Sequence, residues 1–517
     1  MGWRRVINNT IVVFIFLIAG ILTYYTYNKQ FIYFITLSFL VWLISVNGIV
    51  ASIIFYIQYR RAKKYADFYI LRSSSKKYKI AAFVTSFNED PEIVKATLIS
   101  VQFAAKRYGN CDVFLLDDST KKNISDELKS FCEKRGITYI HRTNRRGFKA
   151  GAINDALRRY GNYYDLVTIF DADQRPSPNF FQIVSAYFDD PSVAFVQIPQ
   201  YYSETYTKIA KGAWYQQLPF LKIIMKGRNL ISAFSLGSGT TFRVSALKEV
   251  GYLKEDTVTE DVATSAKLHA KGYKSIYINY SGIWYGEPPQ DLSAYLKQQG
   301  RWSLGGFQLL KDLLKLDLPL VVFLDYFAGV IYWIRIGFLR LIEFLAPIVF
   351  IDFNVSYIVL NPILYAISYF PIVIITVIMY LWAMKDYDYG LYGFFLHQTV
   401  EILEFPAVLM SFIKWISRRK SIFVVTPKGK ISMQVYLILP YITVLLILGL
   451  TLINGIIKVT LDITKTLLAY AIIINIIWIL YYIPYLVYGI KISLEKPKEV
   501  NRNIIVEVPL IPVIEKE

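Results

Sequence analysis

Six stretches of this 517-residue chain are apolar enough to cross a bilayer, and the long stretch between the second and third is not. A spanning helix takes about 20 apolar residues. Runs at 11–27 and 31–57 flank the short Asn28-Lys29-Gln30 turn, and apolar runs resume at about 319–351, 356–384, 435–454 and 467–489. The run 319–351 is too long for one upright helix, and Asp325 interrupts it. The pattern therefore predicts an interfacial helix and then a span from about residue 330. The first run has the length of a signal peptide. No small-residue cleavage site follows it and a second span comes at once, so it reads as a retained anchor. Residues 77–300 hold no run of this kind.

The composition agrees. Hydrophobic residues make up 55% and charged residues 19%, against about 45–50% and about 25% in ordinary soluble domains. That excludes disorder, collagen and a purely soluble fold. The formal charge of +18 sits mostly beside the apolar runs, which points to membrane topology rather than nucleic acid. Arg4 and Arg5 precede the first span, and Arg60, Arg61, Lys63 and Lys64 follow the second. Arg418, Arg419 and Lys420 lie between the fourth and fifth, and Lys491, Lys496, Lys498 and Arg502 follow the sixth. Six spans with both termini and residues 77–300 on the cytoplasmic side of a cell membrane satisfy the positive-inside rule. Cys111 and Cys132 cannot form a disulfide framework and read as reduced core thiols.

Within 77–300, short apolar runs alternate with helical patterns, the signature of an α/β sheet. Strands are predicted at Ile80–Thr85, Val113–Leu116, about Ile137–Ile140 and Leu166–Phe170. Asp90-Pro91 opens a helix to about Phe103, and another runs from about Lys149 to Arg159. Ligands of such sheets bind beyond the carboxyl ends of the strands. Three of those ends carry Phe87 and Glu89, Asp117 and Asp118, and Asp171 and Asp173. Two aspartates spaced as Asp171 and Asp173 suit Mg²⁺ or Mn²⁺ shared with substrate phosphates. The segment Asn144–Gly151 combines cations with small residues at a helix start, which suits a diphosphate. Thr259-Glu260-Asp261 opens a helical pattern over Val262–Ala270 and reads either as an N-cap or as a carboxylate base.

In order, the chain holds Ser86-Phe87-Asn88-Glu89-Asp90, Asp117-Asp118, Lys149-Ala150-Gly151, Asp171-Ala172-Asp173, Thr259-Glu260-Asp261 and Gln298-Gln299-Gly300-Arg301-Trp302. This series resembles the family 2 processive membrane glycosyltransferases: cellulose, chitin and hyaluronan synthases. Phe423-Val424-Val425-Thr426-Pro427-Lys428 is similar to the gating loop of cellulose synthases. The resemblance implies a GT-A-type α/β glycosyltransferase domain, with a mixed, mostly parallel sheet, inserted in an α-helical membrane domain of about six spans with interfacial helices. It implies nucleotide-sugar contacts from Ser86, Phe87, Glu89, Asp117, Asp118, Lys149, Asp171, Arg301, Thr426 and Lys428. Phe87 would stack on the base, where the family usually has tyrosine. Asp171 and Asp173 would hold the metal, Mg²⁺ or Mn²⁺. Asp261, with Glu260 beside it, would act as catalytic base, and Gln298 and Trp302 would receive the acceptor. Asp117-Asp118-Ser119 departs from the usual Asp-Asp-Gly. No room is left after the sixth span for a cyclic-dinucleotide-binding domain, so activation by that messenger is not expected.

The resulting map has two N-terminal spans (1–60), a cytosolic glycosyltransferase domain (77–290) and interfacial helices with the Q-Q-G-R-W motif (291–328). Spans three and four (329–384), interfacial helices with the gating loop (385–434), spans five and six (435–490) and a short tail (491–517) follow. The implied activity is inverting, processive polymerisation of a nucleotide sugar, UDP-glucose, into an exported β-linked, cellulose-like polysaccharide. Two alternatives stand beside it: a hyaluronan- or chitin-type synthase using UDP-N-acetylglucosamine, and a non-processive transferase to a lipid acceptor. The partners are donor, growing polysaccharide and bilayer. Arg335, Arg340 and Glu343 in the third span read equally as a structural ion pair or a channel lining.

Overall fold

The computed structural model describes residues 35–65, 74, 76–202, 205–279, 284–286, 288–355, 362–418, 435–461 and 466–495. The first predicted span (11–27) and the loop Phe423–Lys428, with Thr426 and Lys428, lie outside the described residues.

A helix, α1 (Ile35–Ala62), leads into the sheet domain. There, β1 (Ile80–Ser86), α2 (Pro91–Tyr108), β2 (Cys111–Asp117), α3 (Lys122–Arg135), β3 (Thr138–His141), α4 (Phe148–Tyr160) and β4 (Leu166–Asp171) wind a parallel half-sheet. β1 is nearly all apolar because both faces are covered. Ile80, Ala82 and Val84 pack on Leu98, Phe170 and Phe180 on one side. Ala81 and Phe83 pack on Phe114, Ile153 and Leu157 on the other. The Asp90 side chain accepts from Glu92 N at 3.0 Å to start α2, and Gly109 ends it at φ 79°.

After β5 (Arg175–Pro176) and α5 (Phe180–Ser185) come β6 (Val193–Gln197), β7 (Tyr201–Tyr202), α6 (Lys208–Pro219), β8 (Thr240–Arg243), α7 (Val244–Glu249), α8 (Glu260–Ala270), β9 (Lys274–Tyr277) and β10 (Trp284–Gly286). The main sheet has the order β3-β2-β1-β4-β8-β6-β9, with a small second sheet β5-β10-β7. Strand β8 runs antiparallel to both β4 and β6. Its amino end therefore meets the carboxyl end of β4, which brings the residues before Thr240 to the edge where ligands bind.

The helical part comprises α9 (Leu292–Leu313), α10 (Leu320–Ile334), α11 (Arg340–Ile351), α12 (Pro362–Ala383), α13 (Gly390–Leu403), α14 (Phe405–Ile416), α15 (Leu439–Leu461) and α16 (Thr466–Ser493). Among the described residues, Val435–Leu461 and Leu467–Ser493 are long and apolar enough to cross a membrane, by length and composition. The expected break near residue 330 does not occur. The chain stays helical from α10 through α11, widened by a π-helical turn at Arg335–Leu339. Asp325 needs no break because its carboxylate is fully engaged. Gln58 donates to it at 2.7 Å, Ser232 at 2.6 Å and Arg61 pairs with it at 3.2 Å. Arg340 pairs with Glu343 at 2.8 Å and Glu401 at 3.2 Å, and Tyr482 donates to Glu343 at 2.7 Å. Those contacts make the structural ion pair the observed arrangement for Arg340 and Glu343.

Candidate active site

Parallel register brings the predicted strand-end residues level. Ser86 lies beside Asp117 and Thr85 beside Asp171. Lys149, in the first turn of α4, points back to that edge. Its Nζ donates to Asp171 Oδ1 at 2.6 Å and to the Gly237 carbonyl at 2.7 Å. Burial works against the lysine charge, yet Asp171, Glu260 and Asp261 together raise its pKa above the ordinary value. Ser238 Oγ accepts from Asp171 N at 2.9 Å.

Asp261 sits in the first turn of α8, facing the same point. Val262 N donates to Asp261 Oδ1 at 2.8 Å. A Cβ placed on Gly237 would lie 2.8 Å from Asp261 Oδ2 and 3.6 Å from Lys149 Nζ. Gly237 is thus the floor between carboxylate and cation, and its φ of 82° suits glycine. Desolvation, with the charge of Glu260, pushes the Asp261 carboxyl up to about 7 against the pull of Val262 N–H, Lys149 and Arg301. A carboxylate poised there is matched to taking a proton near neutral pH.

Helix α9 clasps the turn that carries Asp261. Gln308 Oε1 accepts from Val258 N at 3.1 Å and pairs with Thr257 Oγ1 at 3.0 Å. Lys254 pairs with Asp312 at 3.0 Å. Gly305 allows the approach, since a Cβ there would sit 2.2 Å from Thr259 Oγ1. Arg301 and Trp302 lie one turn earlier on α9, both partly buried. Gln298 bonds Tyr202, which also accepts from Gln217 Nε2 at 2.7 Å.

The carboxylates at the β2 end are engaged by the protein itself. Asp117 accepts from Ser119 Oγ at 2.6 Å and Tyr139 OH at 2.8 Å. Arg142 holds Asp118 at 2.6 and 2.9 Å. Ser119, where the family usually has glycine, therefore caps Asp117. Ser86 is buried, and Phe87 and Glu89 are partly buried. Asp173 is 8% exposed. No group of three or more metal-binding side chains occurs among the described residues. The Asp171/Asp173 pair suits a hard cation whose coordination is completed by substrate phosphates and water.

Residues 166–385 match the family model "Glycosyl transferase family group 2". Over that stretch the chain is similar to the family 2 glycosyltransferases, cellulose synthases among them. The cellulose synthase catalytic subunit of Xanthomonas axonopodis pv. citri (strain 306) is 31% identical over 253 residues, which cover 47% of this chain and 33% of that relative. Cellulose synthase 2 of Novacetimonas hansenii is 25% identical over 399 residues, 73% of this chain and 24% of the relative. A probable glucomannan 4-beta-mannosyltransferase of Oryza sativa subsp. japonica is 31% identical over 213 residues, 39% and 36%. The chain spans about a third of the length of the curated relatives it matches. A mannosyltransferase of Pyrobaculum calidifontis, solved with GDP-Man and Mn²⁺, aligns with a TM-score of 0.50 at 16% identity over 74% of this chain and 99% of that one. That likeness is one of fold: a GT-A-like mixed sheet.

The loop Ser235–Ser238 escapes a sequence search aimed at strand ends. It precedes a strand, and only the antiparallel turn of β8 brings it to the edge. The small residues around Leu236 at 235–239, between a helical segment and the strand Thr240–Arg243, were the available signal.

Proposed function

We propose that the chain is an inverting, processive glycosyltransferase that polymerises a nucleotide sugar into a β-linked polysaccharide at a membrane. The carrying observation is the convergence of a base, Asp261, and a buried cation, Lys149, on the Gly237 floor beside Asp171. Asp261 accepts the proton of the acceptor hydroxyl as that oxygen attacks the anomeric carbon. Lys149 and Arg301 face the negative charge that grows on the departing diphosphate, which needs no general acid. Asp171 and Asp173 would hold Mg²⁺ or Mn²⁺, and such a cation neutralises the charge of the donor diphosphate when bound. Glu260 sharpens the Asp261 carboxyl by repulsion. Ser86, Phe87 and Glu89 line the base side. Trp302 offers a flat face to the terminal acceptor sugar, with Gln298 anchoring the approach. Thr426 and Lys428 would close over the donor.

The best-supported donor is UDP-glucose, in keeping with the names of the cellulose synthase relatives. The mannosyltransferase relative and the neighbour solved with GDP-Man support GDP-mannose as a second reading. The six-span topology, cytoplasmic catalytic domain and export of the polymer through the membrane helices belong to the same proposal. The test is incubation of membranes containing the chain with radiolabelled UDP-glucose, UDP-N-acetylglucosamine and GDP-mannose in turn, with Mg²⁺ or Mn²⁺. Linkage-specific hydrolases then identify the product. Long polymer from one donor supports the proposal; single-sugar transfer to lipid, or no transfer, overturns it.

A further inference from the structure

The segment 142–149 carries four cations, Arg142, Arg145, Arg146 and Lys149, and three are committed to carboxylates. Arg142 holds Asp118 and reaches Asp155 at 3.0 Å. Arg146 pairs with Asp155 at 3.1 Å and Glu255 at 2.9 Å. Lys149 pairs with Asp171. Arg145 has no carboxylate partner among the described residues. Its guanidinium lies over Phe87, with Cζ 3.3 Å from the ring centroid, and its Nε is buried without a hydrogen-bond partner.

That contact covers the ring at the carboxyl end of β1. We infer that Arg145 is a nucleobase clamp: the base of the donor enters between Phe87 and the guanidinium, which then lies on the base's outer face. The inference rests on the nucleotide-sugar reading of the site. A base between two planes needs about 7 Å, two van der Waals layers. Phe87 directly follows β1, which is paired on both sides. The long Arg145 side chain is the partner that can move. A guanidinium is planar, weakly hydrated and stacks on π faces as an ammonium does not. Here burial and the charge of Arg142 hold the Arg145 pKa below its ordinary value, Asp118 only partly offsetting them. A planar base gives that weakly hydrated guanidinium a surface to stack on. Lys149, shared with Asp171, is the cation the proposed mechanism sets toward the diphosphate.

The test is calorimetric titration of the full chain in nanodiscs with UDP and, separately, with inorganic pyrophosphate, both with Mn²⁺. GDP replaces UDP if the wild type prefers it. Arg145→Ala is expected to weaken nucleoside diphosphate binding by about tenfold to a hundredfold, the range of a lost base-stacking platform. Pyrophosphate binding should stay unchanged. Arg145→Lys, which keeps the charge and loses the plane, should match Arg145→Ala. The donor KM should rise in both while kcat holds. Equal weakening of both ligands would make Arg145 a diphosphate cation and overturn the clamp, as would full binding by Arg145→Lys or unchanged binding by Arg145→Ala. Wild type that binds no nucleoside diphosphate would overturn the donor reading itself.

Discussion

Asp261 is asked to be both desolvated and ionised. Burial and Glu260 raise its carboxyl to about 7, so a rising fraction is ionised, as the proposed base role requires, when pH climbs through that value. Transfer by wild type is expected to rise about tenfold per pH unit below about 6 and to level above about 8. Glu260→Gln removes the repelling charge, and the midpoint should shift to lower pH. Initial rates between pH 5 and 9 measure both. Asp261→Asn should lower kcat by at least about a hundredfold, the usual scale for a lost general base. Donor binding should be near normal, because the proposed base acts on the acceptor. An Asn variant with wild-type polymer yield would remove Asp261 from the chemistry.

Helix α9 shows how an element sets a residue. Gly305 lets it lie against Thr259, and Gln308 ties the Thr257–Val258 turn that leads into Asp261. Gly305→Ala should force the two apart, cutting turnover by about a hundredfold, as displacements of this order do. Donor affinity should change little. Turnover and UDP titration on the same sample separate the effects. Much at this scale was legible beforehand. The strand at Leu166 ends one residue later than its apolar run predicts, at Asp171. The helix after Asp90-Pro91 runs on to Tyr108 because Gly109, not Phe103, supplies the left-handed stop. The clasp of α9 on Thr259, the Ser235–Ser238 loop and the ties on Asp325 were not legible. Each joins residues far apart in the chain, and one sequence records local periodicity rather than contact. The Asp118 prediction shows the same limit: the motif marks the position, while Arg142, its partner, carries no motif.

In the molecule as a whole, buried charge binds the helices to each other. Arg340 links α11 to Glu401 on α13, and Tyr482 of α16 joins through Glu343. Arg340→Met should strand two buried carboxylates and cost roughly 3–5 kcal/mol. A large drop in thermal midpoint in detergent is the expected readout. The Glu343→Gln, Glu401→Gln, Arg340→Met triple variant should recover much of it. Excess chelator should stop transfer by the wild type, and added Mn²⁺ or Mg²⁺ should restore it, if the Asp171/Asp173 pair works as proposed.

Asp325 fastens three parts at once: Gln58 and Arg61 of α1, Ser232 of the sheet domain and its own helix α10. Those ties hold the sheet domain against the adjoining helices. A transferase built on such a fixed anvil would not advance its product by rocking. On the proposed processive reading, each added sugar would shove the finished strand forward by one ring, and the strand's grip on the walls ahead would be the pawl that stops recoil. Asp325→Ala, by loosening the anvil, should yield shorter polymer at an undiminished initial rate, read by size-exclusion of the labelled product.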